Sequence, residues 1–142
     1  MCQGFKLAKQ IVDEFVGKYP GCYPPQVINI TEGMATDGPP EPGASALRGV
    51  SSKDGNVLLY NAHLSERETQ PIEFPEKEDI LPDDYARMLF RMSSLLPVKV
   101  QRAARNDGIR VTDTSRGFVF NADLVSVIRF LDIGTKVSAT VR

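Results

Sequence analysis

Three short apolar runs, Val27 to Ile30, Val57 to Tyr60 and Gly117 to Phe120, constrain this chain more than any other feature. Stretches with a helical pattern separate them. The second run, "VLLY", is unbroken. A half-exposed antiparallel strand alternates apolar with polar residues, whereas a continuous run suits a parallel strand covered on both faces. Parallel neighbours need crossover connections, normally right-handed and helical. Three such strands with helices between them therefore predict an α/β layer structure with a mainly parallel sheet.

The helices can be read from their spacing. "GFKLAKQIVDEFVGK" (4–18) places Ala8, Ile11, Val12 and Phe15 on one face, and "YPGCYPP" ends that helix and leads into a strand at 26–31. "EPGASALRGVSS" predicts a short helix, "KDG" a turn, and "NVLLYNAHLS" the second strand. Residues 65–80 are charged, contain two prolines and lack a period, which predicts a surface connection with an extended piece at Ile72 to Phe74. In "LPDDYARMLFRMSSLL" an amphipathic stripe runs from Tyr85 through Met88, Leu89 and Met92 to Leu95 and Leu96, with Asp83 and Asp84 at its positive end. Pro97 opens a further helix to about Asn106, closed by Asp107 and Gly108. After the third strand, Asn121 is expected to cap a helix whose apolar face carries Leu124, Val127, Ile128 and Leu131.

Composition limits the function classes. A chain of 142 residues fits one domain. Its 17 basic and 18 acidic residues are interspersed and give a net charge of −1, without the clustered Lys and Arg of a nucleic-acid footprint. No apolar run approaches the roughly 18–20 residues of a membrane span. The start, "MCQGFKLAKQ", lacks the apolar core of a signal peptide, so a cytoplasmic location is expected. Cys2 and Cys22 form no CxxC and are expected to be reduced.

Each strand ends in polar residues: Thr31 and Glu32, then Asn61, His63 and Ser65, then Asn121 and Asp123. In open α/β sheets ligands collect outside the carboxyl ends of the strands, so Thr31, His63, Asn121 and Asp123 are candidates for the edge of a site. His63 is the sole histidine and is read as structural; Asp37, before Gly38 and two prolines, is read as a turn residue. No glycine-rich phosphate loop, Ser-His-Asp order or HExxH motif is present, and no catalytic or cofactor-binding residue is predicted.

Four segments in order, "YPPQVINITEGMATDG", "DGNVLLYNAHLS", "ILPDDYARMLFRMSSLLP" and "GFVFNADLVSVIRFLDIGT", resemble the later part of a bacterial von Willebrand factor A domain. The resemblance runs from Met1 to about Thr135 and is nearest to cytoplasmic members related to tellurite-resistance proteins. It implies a Rossmann-like three-layer α/β/α fold, partial here, over residues 1–136, with 137–142 as a tail. It also implies a protein-binding module that holds Mg²⁺ at the carboxyl ends of the strands, to which a partner adds a carboxylate.

The chain departs from the family pattern in two ways. The Asp-x-Ser-x-Ser motif that opens the metal site is absent, and the third metal loop reads Thr31-Glu32-Gly33 where the family has an aspartate. Glu32 is the one position carried over as a metal ligand. Magnesium takes about six oxygens at 2.0–2.1 Å, so one carboxylate cannot hold it unaided. The resemblance therefore implies an incomplete or degenerate site. If the opening strands are missing, the strand at 27–31 presents an unpaired apolar edge, through which a homodimer could form. Three function classes stay open: a protein-interaction module, a Rossmann-like nucleotide-binding or enzyme fragment, and a scaffold element assembling through the strand edge.

Overall fold

The computed structural model describes residues 1–65 and 68–140. In chain order the elements are α1 (Cys2–Lys18), β1 (Gln26–Thr31), α2 (Glu41–Gly49), β2 (Ser51–Ser52), β3 (Gly55–Asn56), β4 (Leu58–Leu64), β5 (Ile72–Glu73), α3 (Asp84–Met92), α4 (Val98–Asn106), β6 (Phe118–Ala122) and α5 (Leu124–Thr140). The main sheet has the order β1-β4-β6-β5. β1 runs parallel to β4 and β4 parallel to β6, while β5 closes the far side antiparallel to β6. β2 and β3 form a small separate hairpin around the expected turn.

Helices cover both faces of the sheet. Phe5 and Val12 of α1, Ala44 and Leu47 of α2, and Leu89 and Met92 of α3 pack with Leu59, Phe118 and Phe120 on one face. On the other, Val100 and Ala104 of α4 and Val127, Phe130 and Ile133 of α5 pack with Tyr60, Ala62 and Val119. The result is a mixed α/β fold with a mainly parallel sheet between two helical layers, compatible with a Rossmann-like architecture.

Several local expectations need correction. In α1, Val12 is buried but Ile11 and Phe15 are exposed; Phe5 takes an inward place nearer the start of the helix. In α5, Leu124 and Ile128 are exposed, while Val127, Phe130 and Ile133 form the buried face. Both helices carry enough apolar residues for two faces, and spacing alone does not choose between them. The helix at α3 stops at Met92 and does not reach Leu96. Ser93 returns its hydroxyl to the Leu89 carbonyl (2.7 Å), and Ser94 leaves the helix to bond the Leu59 backbone through both its N–H (2.8 Å) and its Oγ (2.9 Å). Asp123, rather than Asn121, caps α5 by accepting from the Ser126 N–H and hydroxyl, both at 2.8 Å. Of the tail expected at 137–142, residues 137–140 continue α5 and residues 141–142 lie outside the described residues.

A polar line crosses the first face. Asn29 donates its amide to Asn61 Oδ1 (2.9 Å), and Asn61 donates to Ser93 Oγ (2.8 Å), so the fully buried Asn61 is satisfied in an otherwise apolar layer. On the opposite face, a Cβ at Gly117 would lie 2.1 Å from the Tyr60 ring, so only glycine lets the chain pass there.

Candidate functional site

The carboxyl ends of β1, β4 and β6 open into a cleft of about 800 Å³, within the range of small-ligand pockets. Apolar side chains, Ile30, Met34, Phe120 and Leu124 among them, make up much of its lining, and Glu32, Asp83 and Asp123 add three carboxylates. Among the described residues no Lys or Arg belongs to the lining.

Three of the residues expected near a site meet in this cleft. Glu32 is exposed on the loop after β1, His63 lies near the end of β4, and Asp123 follows β6. The His63 ring stacks on Phe120 (centroids 4.5 Å apart, 9° between planes) and meets Tyr85 edge-on at 5.8 Å. Its Nδ1 accepts from the Asn121 N–H at 3.2 Å, which leaves Nε2 to carry the proton of the neutral ring.

Thr31 and Asn121 stand behind the cleft wall and do not line it. The Thr31 hydroxyl donates to the Gly33 carbonyl (2.7 Å), folding the loop onto itself. Asn121 adopts φ 57°, a left-handed conformation that asparagine tolerates, where the β4–β6 pairing slips between Ala62 and Leu64. Its amide donates to the carbonyl oxygen (2.7 Å) and the hydroxyl of Thr69.

The sequence pattern places Tyr85 only in a core stripe. Its hydroxyl instead donates to the Gly33 carbonyl and lies 3.4 Å from Thr31 Oγ1, clamping the β1 loop to α3. Burial raises its pKa; the Thr31 contact opposes this and the charge of Asp83 adds to it. The available signal is its position in the first turn of an amphipathic helix, where a tyrosine can bury its ring and keep its hydroxyl at the rim.

Among the described residues, those at this cleft do not fit magnesium. Asp83 caps α3 through the Ala86 N–H (2.8 Å), Asp123 caps α5, and the Thr31 hydroxyl is committed to its own loop. Glu32 is left as a single exposed carboxylate. Among the described residues no group of three or more His, Cys, Asp and Glu side chains is arranged to hold a metal ion.

The margin of the molecule beside this cleft is also unusual. β1 is an outer strand, as expected for residues 27–31. The Leu58 N–H bonds the Pro25 carbonyl (3.0 Å). In a parallel ladder this alternation directs Val27, Asn29 and Thr31 toward β4, and turns the N–H and C=O groups of Gln26, Ile28 and Ile30 outward. The strand "QVINIT" carries no charge and no proline, the usual guards of an outer edge. On the adjoining helical layer α1 packs on α2, and α2 in turn meets α3 and β4, which leaves α1 outermost. Its Leu7, Ile11 and Phe15, with Tyr19 just beyond, are spaced four apart and form an exposed apolar ridge.

Comparison of the chain with protein-family models, with curated proteins and with solved structures finds no match. No helix among the described residues is long and apolar enough to cross a membrane.

Proposed function

We propose that this chain is a protein-interaction module of the von Willebrand A type, with a metal site too incomplete to work, that binds by strand addition at β1. The observation that carries this reading is the unguarded edge, with three outward-facing backbone units beside the apolar ridge of α1. Strand addition takes its affinity from main-chain hydrogen bonds and its selectivity from flanking side chains. The ordered family segments and the outer position of β1 support the assignment to this family.

A second copy of the chain fits this edge. Across a two-fold axis normal to the sheet, opposed residues must share a face, so their numbers must sum to an even value. A register centred on Ile28 pairs Ile28 with its own copy and Gln26 with Ile30. All three outward units of each chain are then used. The same axis sets the two α1 helices antiparallel.

Sedimentation velocity over roughly a hundredfold range of concentration tests this. Self-association is expected, with exchange at the Ile28 and Ile30 amides slowing as concentration rises. Ile30→Lys, which sets a charge on the edge, should yield a monomer. Fast exchange at both amides in a chain that stays monomeric throughout would defeat the dimer. A dimer indifferent to Ile30→Lys would show that the edge is not the binding surface. Calorimetric titration with Mg²⁺, repeated on Glu32→Ala, separates out the metal-dependent alternative: tight binding lost in the variant would establish a working metal site and refute a degenerate one.

A further inference from the structure

At the opposite end of the sheet two arginines converge without a counter-charge. A pocket of about 620 Å³ lies between the last turn of α2, the start of β4 and the segment leading into β6, and both Arg48 and Arg116 line it. No Asp or Glu belongs to this lining, and neither arginine forms an ion pair among the described residues.

Arg116 is held in place from behind. Its Nη1 donates to the carbonyls of Ser93 (2.8 Å) and Arg91 (3.3 Å), and its guanidinium sits 5.0 Å over the Phe90 ring. These contacts occupy one nitrogen and one face and leave other donors of the guanidinium unassigned. Arg48 Nε is enclosed and has no hydrogen-bond partner among the described residues. Burial and, secondarily, the charge of Arg116 disfavour its charged form, as expected of like charges facing one gap. The carbonyl end of α2 offers Arg48 some compensation, but a helix terminus carries only about half a unit charge against two.

Neutral donors surround the pair. Ser94 Oγ accepts from the Leu59 N–H (2.9 Å), which leaves its own hydrogen to donate, and Asn56 and Ser45 also line the pocket.

We propose that Arg48 and Arg116 form an oxyanion site that takes a phosphate group. Two guanidiniums from separate elements, with serine hydroxyls in the same lining, suit a tetrahedral anion approached from several sides. A phosphate of charge near −1.5 to −2 also balances two cations, as a single carboxylate does not. The site is independent of the β1 edge and of the carboxyl-end cleft.

The test is calorimetric titration of the full chain, in a buffer free of multivalent anions, with inorganic phosphate, phenyl phosphate and acetate at matched ionic strength. Phosphate is expected to bind and acetate to bind far more weakly. A preference for phenyl phosphate identifies a phosphomonoester as the natural group, and equal binding identifies free phosphate. Arg48→Gln should weaken phosphate roughly tenfold or more, the scale of one lost charge-assisted contact. Because that variant could fail to fold, the Arg48 Nε–H resonance of the unaltered chain should also be followed during the phosphate titration, where it is expected to shift. Acetate binding as tightly as phosphate, an unmoved Arg48 resonance, or a folded Arg48→Gln chain with unchanged affinity would each overturn the proposal.

Discussion

β1 and β6 are built from similar residues and meet opposite fates. Each pairs in parallel with β4, and each carries an asparagine among apolar side chains. Every residue of β6 is buried, whereas none of β1 is. The difference is one of position: β6 lies between β4 and β5 with helices on both faces, while β1, among the described residues, has a strand neighbour on one side only. Strand composition therefore reports the capacity to be buried, and sheet order decides whether that capacity is used.

The sharpest way to break this comparison is to truncate one apolar residue in each strand. Phe118→Ala removes a fully buried ring packed with α1–α3 and should cost about 3–5 kcal/mol. Ile30→Ala, at a residue 47% exposed, should cost under about 1 kcal/mol. Urea unfolding of both variants supplies the ratio. Similar losses would mean that β1 is covered in solution, as the proposed second copy would do at high protein concentration.

Overpacking at the entrance to β6 comes next. Gly117→Ala sets a methyl group against the ring of Tyr60, which is itself buried and cannot swing away. A loss of about 3 kcal/mol, the upper part of the usual overpacking range, is expected by the same measurement. Gly33→Ala, after β1, meets no atom within 4 Å and should be nearly silent.

These residues also mark how far the sequence could be read. The unbroken run at Val57 to Tyr60 correctly announces a parallel strand, because two-sided burial leaves a pattern in the chain itself. The carboxyl-end cleft is legible for a related reason: polar residues follow each strand, and topology gathers strand ends on one side. The buried faces of α1 and α5 are not legible, since each helix has apolar residues on two sides and the choice rests on neighbours distant in sequence. Nor is the clamp from Tyr85 to Gly33, which joins residues that only the finished fold brings together. Asp37, read as a turn residue, instead reaches back across the molecule to the start of α1.

A smaller effect, of opposite sign, is expected at the centre of the sheet. The Tyr60 hydroxyl is buried without a partner among the described residues, and burial pushes its pKa well above the usual tyrosine value. Tyr60→Phe removes an unsatisfied group and keeps the ring, so stability should be unchanged or rise by up to about 1 kcal/mol. A clear loss would reveal a hydrogen-bond partner for the hydroxyl in solution.

The smallest effect concerns how each strand end is tied down. After β6, Asp123 caps its own helix through Ser126; after β1, Asp37 accepts from the N–H groups of Gln3 (2.9 Å) and Cys2 (3.0 Å) at the start of α1. Both carboxylates are held below the usual aspartate range, Asp37 chiefly by the N–H groups of Gln3 and Cys2 and Asp123 chiefly by the Ser126 bonds. A depressed folded-state value means that each contact stabilises fully above the ordinary aspartate pKa near 4 and loses its contribution as the pH falls below it. The two losses should differ in reach. Asp123 starts a helix whose buried face packs into the sheet, whereas Asp37 joins an exposed loop to the first turn of an outer helix. Asp37→Asn should therefore speed amide exchange at Cys2 and Gln3 at neutral pH and scarcely move the unfolding midpoint. Lowering the pH on the unaltered chain should produce the same local fraying before global unfolding. A midpoint that falls as far for Asp37→Asn as for Asp123→Asn would show that the β1 margin is coupled to the core as tightly as the β6 side.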